Sequence, residues 1–226
     1  MTLNERIMKT IFAFLLLMSS TAIVHAQESE NDELYSTTSS YSTLYKDFTD
    51  AVVYMKDGKE LTTKANIFMV NSSLYYMHGP MTMQANMKTI DRVEFREKKQ
   101  KFFVLDTLMA FVVDTVKGNE LIAVKFIDVK AFMAQKKSST ILSNVVGMKL
   151  GDFVTSSHID SKENPEFPVY FKYFYRLHGK IVPINDRDTY RLIPKDKQRV
   201  FKTVTQLPEF DWYDRTWLLK LLKYIS

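Results

Sequence analysis

Residues 81 to 87 read Met81-Thr-Met-Gln-Ala-Asn-Met87, and this stretch decides the fold class. Its apolar side chains, at positions 81, 83, 85 and 87, fall on one face of an extended chain, and its polar side chains fall on the other. A half-buried strand produces this period of two, whereas a helix places apolar residues three or four positions apart. The stretch therefore predicts a β-strand with one face in the core.

Short apolar runs separated by turn signals continue this pattern from residue 50 to about residue 135. Asp57-Gly58, Gly79-Pro80 and Lys117-Gly118-Asn119 are typical of the turns that join neighbouring strands. The predicted strands are Ala51–Met55, Leu61–Val70, Leu74–Met77, Met81–Met87, Arg92–Arg96, Phe102–Val116 and Leu121–Ala134. We predict an antiparallel meander of about seven strands that forms an open barrel or a two-layer sheet.

A further hairpin and two helices are predicted after the meander. Val169–Leu177 and Lys180–Ile184 flank the turn His178-Gly179, and Pro183 places the second strand at a sheet edge. Helices are predicted over residues 194–207 and 211–225, with Pro194 at the start of the first helix and Asp211 capping the second. The second helix carries an apolar stripe that predicts docking on the domain, formed by Leu218, Leu221, Leu222 and Ile225. The predicted fold class is α+β, mostly β.

The first 26 residues have the order of a secretory signal peptide. Arg6 and Lys9 precede the apolar run Ile11–Met18, and small residues lead to Ala26. The apolar run is shorter than the roughly 20 residues that cross a bilayer. We therefore expect cleavage after Ala26 and export to the periplasm, the outer-membrane periphery or the exterior.

The segment after the signal peptide differs in composition from the remainder of the chain. Residues 27–46 are rich in Ser and Thr and show no apolar period, which predicts a disordered leader. Residues 47–226 are then expected to form a single β-rich domain with the two helices at its end.

Three segments carry a resemblance to a known class of proteins. The start Met8-Lys9-Thr10, the stretch Val52–Gly58 and the ending that begins at Tyr173–Leu177 resemble exported β-rich proteins of Bacteroides-type bacteria, for which no activity is known. The triplets Asp106-Thr107-Leu108 and Asp114-Thr115-Val116 are similar to those that such bacteria O-glycosylate, with ordinary strand residues as the alternative. The resemblance implies an exported protein and carries no catalytic residues over to this chain.

Candidates for catalysis are few. Ser157, His158 and Asp160 are the residue types of a serine hydrolase, but neighbours in sequence point in different directions, so a polar turn is the alternative. Asp186 and Asp188 are candidates for an acidic pair in a groove, or for helix-entry charges. The chain has no cysteine, no closely spaced histidines and no phosphate-binding loop, so neither a metal nor another cofactor is predicted.

The aromatic strand at residues 169–177 favours binding. Tyr170, Tyr173 and Tyr175 are candidate ligand-binding residues because one face of this strand could form a flat platform, with core filling as the alternative. The predicted function is a non-catalytic cell-envelope protein that binds a glycan, a peptide or a protein partner through its sheet. The alternatives are a periplasmic carrier of lipid or another apolar ligand, and a hydrolase whose site is assembled only in the fold.

Charge gives a further indication about partners. The formal net charge of the chain is +5, but export makes nucleic acid an unsuitable partner. Lys220 and Lys223 lie beside Trp217 and Tyr224 in the last predicted helix, a combination that suits peripheral contact with a membrane surface.

Overall fold

The computed structural model describes residues 34–136 and 166–226 of the chain. Two compact units are distinguished, Met1–Thr37 and Thr38–Ser226. In the first unit the described residues begin with a helical stretch at Leu34 and Tyr35. The sheet and the helices belong to the second unit. The predicted signal peptide lies outside the described residues.

Eleven strands and four helices make up the described part of the second unit. The strands are β1 Thr38–Ser39, β2 Thr49–Met55, β3 Glu60–Phe68, β4 Ser73–His78, β5 Met81–Gln84, β6 Ile90–Phe95, β7 Gln100–Leu105, β8 Leu108–Val116, β9 Asn119–Ile127, β10 Phe167–Leu177 and β11 Lys180–Pro183. The helices are α1 Val129–Lys136, α2 Asp186–Leu192, α3 Gln198–Thr205 and α4 Arg215–Ile225. The predicted β-rich α+β class is confirmed.

All the strands join one antiparallel sheet, and its order departs from a simple meander. The order is β1-β10-β9-β8-β7-β6-β2-β3-β4-β5, with β11 paired to β10. Two meanders, β2 to β5 and β6 to β10, are therefore joined side by side because β6 returns to pair with β2. Strand β2 thus pairs with β3 on one edge and with β6 on the other, and the burial of Ala51, Val52 and Val53 shows that both of its faces are covered.

The number of strands between residues 50 and 127 is eight, and the predicted seven was wrong. The run Phe102–Val116 was predicted as one strand, but a turn at Asp106-Thr107 divides it into β7 and β8. Asp106 adopts a positive φ of 59°, a conformation that Asp tolerates better than most residues. The run predicted from Leu121 also ends early, because the Asp128 side chain accepts a hydrogen bond from the Ala131 N–H and caps α1.

The sheet is open and curled, and the β3–β4 turn closes one corner of it. The Met109 N–H of β8 donates to the Ser72 carbonyl at 2.8 Å, and the Ile127 N–H of β9 donates to the Met69 carbonyl at 3.0 Å. Strands that are distant in the order are thus brought together by this turn.

A row of aromatic side chains packs in the core of the sheet. Tyr45, Phe95, Phe102 and Phe111 meet edge to face in succession, with ring centroids 5.0, 5.8 and 5.5 Å apart. Each such pair contributes about 0.5–1.5 kcal/mol beyond the area that it buries. Adjacent strands are therefore joined through their side chains as well as through their backbones.

The predicted leader is partly built into the sheet, and the prediction was wrong for residues 38–46. Strand β1 pairs with β10, and Leu44 and Tyr45 are buried. The Asn66 side chain, itself buried, accepts from the Tyr45 N–H and donates to the Tyr45 carbonyl. Two apolar anchors, one satisfied amide and backbone hydrogen bonds to Ile67 and Met69 thus hold a segment whose average composition is polar. Residues 27–33 lie outside the described residues.

The strand predicted over Met81–Met87 is shorter and more exposed than predicted. Strand β5 ends at Gln84, and Met81 and Met83 are 57% and 41% exposed. Ala85 and Met87 are buried, as their parity predicts. Burial therefore alternates only from Ala85 to Met87, after β5 has ended, whereas all four residues of β5 are exposed because the β4–β5 hairpin extends past the core.

The C-terminal helices occur, with different boundaries. Helix α3 begins at Gln198 instead of residue 194, and α4 begins at Arg215, where Asp214 and not Asp211 accepts from the Thr216 N–H as the cap. Helix α2 was not predicted. The stripe of α4 is confirmed as core, since Leu218, Leu221, Leu222 and Ile225 are all at most 3% exposed.

Candidate functional site

A cleft of about 390 Å³ lies beside β10, where β11 ends and the turn before α4 approaches. Its wall consists largely of aromatic side chains. The lining residues are Tyr170, Phe171, Lys172, Tyr173, Pro183, Ile184, Asn185, Trp212 and Tyr213. This volume lies at the lower end of the range for small-ligand pockets, about 300–1,000 Å³.

The three tyrosines predicted to bind a ligand have different positions on β10. Tyr170 is 46% exposed and stacks on Phe126 with ring centroids 5.4 Å apart. Tyr173 is largely buried and stacks on Phe171 at 5.9 Å. Tyr175 is fully buried, and its hydroxyl donates to the Leu218 carbonyl at 2.7 Å. The structure thus brings Tyr170 and Tyr173 to the cleft and places Tyr175 in the core.

Trp212 and Tyr213 of the cleft lining belong to a turn at Asp211, a residue that the sequence predicted to be a helix cap. Asp211 accepts a hydrogen bond from the Tyr213 N–H at 2.8 Å, which shapes the turn that carries Trp212 and Tyr213. Trp212 contacts Phe201 at 6.2 Å and Phe210 at 4.8 Å, measured between ring centroids. Its indole is thereby held in place, while Tyr213 is 79% exposed. Two aromatic residues around a capping Asp are a signal that could have found this wall.

Ile184, one of the residues that line the cleft, is hydrogen-bonded to β10. Its N–H donates to the Tyr173 carbonyl at 3.2 Å, one residue past the end of β11. The ladder between the two strands therefore continues to the point where the chain turns away into α2.

The polar groups of the cleft are few and mostly neutral. Burial and the nearby Asp128 carboxylate raise the pKa of Tyr170, so its phenol remains a hydrogen-bond donor at neutral pH. Lys172 is exposed and its ammonium group lies over the Phe174 ring at 5.4 Å. In the described part of the chain, no hydrogen bond occupies the indole N–H of Trp212. The cleft thus combines apolar ring faces with donors at its rim.

The candidate catalytic residues are not brought together among the described residues. His158 and Asp160 lie outside them, as does Ser157, and for Asp186 only its backbone position at the start of α2 is described. The Asp188 carboxylate accepts from the Asn185 side chain at 3.0 Å and pairs with Arg191 at 3.8 Å. Asp188 therefore stabilises the entry of α2, the helix-entry role that was its predicted alternative.

The remaining described histidines occupy two separate hairpin turns. His78 ends β4, whereas His178 lies between β10 and β11 with a positive φ of 50°. Within the described ranges, no group of three or more His, Cys, Asp or Glu side chains is arranged to hold a metal ion.

The face of α4 that could meet a membrane is limited to its polar side. Its apolar stripe is in the core, and Tyr224 is 55% exposed beside the exposed Lys220 and Lys223. The Lys220 ammonium group lies over the Trp217 ring at 4.3 Å. Over the residues that the structure describes, no helix has the length and apolar character needed to span a bilayer.

Comparisons of the chain with protein-family models, with curated proteins and with solved structures found no match.

Proposed function

We propose that this protein is a non-catalytic, exported cell-envelope protein that binds a small glycan in the cleft beside β10. The observation that carries the proposal is the aromatic lining of the cleft, to which β10 contributes Tyr170 and Tyr173 and the turn before α4 contributes Trp212 and Tyr213. The volume of the cleft suits a ligand of about one or two sugar rings.

Sugar rings are recognised by surfaces of this composition. One face of a pyranose presents C–H groups, which pack on aromatic rings, and its edge presents hydroxyls that need hydrogen-bond partners. The rim supplies the Tyr170 phenol, the Trp212 indole N–H and the Lys172 ammonium group. Lys172 further favours a sugar that carries a carboxylate.

Preorganisation supports the proposal because a fixed site loses less entropy when a ligand binds. Trp212 is held by Phe201 and Phe210, and Tyr170 is stacked on Phe126. Only Tyr213 is largely free of such contacts, being 79% exposed. We expect this residue to close over the bound sugar.

The two other functions predicted from the sequence have less support. A carrier of lipid needs an apolar cavity inside the sheet, whereas the row from Tyr45 to Phe111 packs ring against ring there. A hydrolase needs a carboxylate positioned for chemistry, whereas Asp188 is engaged in the entry of α2.

Intrinsic fluorescence provides the test. The chain has two tryptophans, so a Trp217→Phe variant leaves Trp212 as the single reporter at the cleft. Titration with neutral disaccharides and with uronic-acid disaccharides should change its emission in a saturable way. In this background Tyr213→Ala should weaken binding about tenfold, which corresponds to the loss of one aromatic contact of about 1.4 kcal/mol.

Tyr224→Ala is the matched control, since it removes an exposed tyrosine from α4 outside the cleft. It should leave the affinity unchanged. Saturable emission changes with extended peptides and none with sugars would replace the glycan by a peptide ligand. No saturable change with either class would overturn the proposed binding site.

Export is tested separately. The protein recovered from the cell envelope should have the mass of a chain that begins at Gln27. Recovery of the intact 226-residue precursor from the cytoplasm would contradict this part of the proposal.

A further inference from the structure

The β4–β5 hairpin exposes two methionines that do not pack in the core. Met81 and Met83 are 57% and 41% exposed, although methionine is usually buried. Other methionines of the fold, Met69 and Met109, are at most 1% exposed. Residues 77–87 contain no charged side chain, in a chain of which a quarter is charged.

The register of the hairpin brings a histidine to the same face as these methionines. His78 pairs with Met81 and Tyr76 pairs with Met83. Directly opposite residues of an antiparallel pair share a face, with Cβ atoms about 4.5–5.5 Å apart, and diagonal neighbours are about 7–8 Å apart. His78, Met81 and Met83 therefore present one imidazole and two thioethers to the same small region of solvent.

These three side chains are available for a ligand. Within residues 34–136 and 166–226, none of them takes part in a hydrogen bond, an ion pair or a ring contact through its side chain. Met77 differs, because it points to the other face of the hairpin, where its sulfur accepts from the Thr82 hydroxyl.

The ligand chemistry of this set is soft. Thioether sulfurs select Cu(I), and an imidazole also suits copper. Hard cations such as Mg²⁺ and Ca²⁺ favour carboxylate oxygens, and residues 77–87 contain no carboxylate. The chain has no cysteine whose thiolate would compete for the metal. From this juxtaposition we propose that His78, Met81 and Met83 form a binding site for Cu(I).

The hairpin suits such a site mechanically. Its inner half is anchored by Leu74 and Ala85, which are buried and joined by a hydrogen bond from the Ala85 N–H to the Leu74 carbonyl at 2.9 Å. The Gly79-Pro80 turn fixes the register at the outer end. The backbone is thus held while the flexible methionine side chains close around an ion. The site lies on β5, at the opposite end of the strand order from β1 and β10, and is independent of the glycan cleft.

Competition for Cu(I) tests the proposal. The purified protein, kept anaerobic with ascorbate, is titrated into the coloured Cu(I)–bicinchoninate complex. We expect one equivalent of Cu(I) to be withdrawn, and X-ray absorption should show both sulfur and nitrogen neighbours. The Met81→Leu/Met83→Leu double variant should bind Cu(I) at least about 100-fold more weakly, since loss of even an outer-shell partner lowers metal affinity about 10- to 100-fold.

Met77→Leu is the matched control because it removes a methionine from the same hairpin but from its other face. It should bind like the wild type, and His78→Asn should remove the nitrogen signal. All the substituted positions are at least partly exposed, so circular dichroism should be unchanged in each variant. Equal Cu(I) affinity of the wild type and the double variant, or failure of the wild type to withdraw Cu(I), would overturn the proposal.

Discussion

Two hairpins of this molecule carry the same turn signal, a histidine followed by a glycine, but differ in how far their strands are buried. The β4–β5 hairpin turns after His78 at Gly79, and the β10–β11 hairpin turns after His178 at Gly179. The first extends into solvent with exposed methionines, whereas the second has Tyr175 in the core beneath α4. The comparison teaches that a local signal sets the turn, while the elements packed on the strands decide whether they become core or surface.

The largest effect should come from truncating a core residue of α4, the helix whose Leu218 carbonyl accepts a hydrogen bond from Tyr175 of the second hairpin. Leu221 of α4 is fully buried, and Leu221→Ala should lower the free energy of unfolding by about 3 kcal/mol because it leaves a cavity. Met83→Ala, a similar truncation on the exposed hairpin, should cost less than about 0.5 kcal/mol. Urea denaturation of both variants measures the difference. Equal losses of unfolding free energy would contradict the expected difference between the core beneath α4 and the exposed β4–β5 hairpin.

An intermediate effect is expected at the turns themselves, and here the two hairpins should agree. Gly79 and Gly179 both have positive φ, 58° and 79°, and an added Cβ would meet nothing within 4 Å at either. Gly79→Ala and Gly179→Ala should therefore each cost about 1–2 kcal/mol through backbone strain alone. Thermal unfolding of the pair is the measurement. A much larger loss at Gly179 would mean that its turn depends on tertiary contacts.

A smaller effect is expected from the buried hydroxyl of the second hairpin. Tyr175→Phe removes the hydrogen bond to the Leu218 carbonyl and should cost about 1 kcal/mol at neutral pH. Tyr213→Phe, at a 79% exposed position, is the matched control and should be neutral.

The same residue predicts a dependence of stability on pH. Burial raises the pKa of Tyr175 far above its ordinary value of 10.0, so the folded protein keeps the phenol neutral while the unfolded chain ionises it. This contribution is fully present below about pH 10 and is lost as the pH rises further. Urea midpoints at pH 8 to 11 should fall more steeply for the wild type than for Tyr175→Phe. Parallel curves would contradict the burial of a neutral phenol.

The sequence named two of the residues that line the cleft and missed the turn before α4. Tyr170 and Tyr173 were candidates because aromatic residues fill both parities of one strand, and both line the cleft. Trp212 and Tyr213 were missed, since Asp211 fits a helix cap as well as the turn that it shapes. In the folded chain Trp212 packs against Phe201 and Phe210, contacts that no local sequence period specifies.

By itself, the sequence determined the strand-rich class, the turns at Gly58, Gly79, Gly118 and Gly179, and the buried stripe of α4. These depend on period and on backbone preference, which act between near neighbours. Tertiary structure alone decided that β6 pairs with β2, that Leu44 and Tyr45 anchor a polar segment, and that Met81 and Met83 are exposed. Burial depends on which elements, distant in sequence, pack on a given face, and no local pattern specifies that packing.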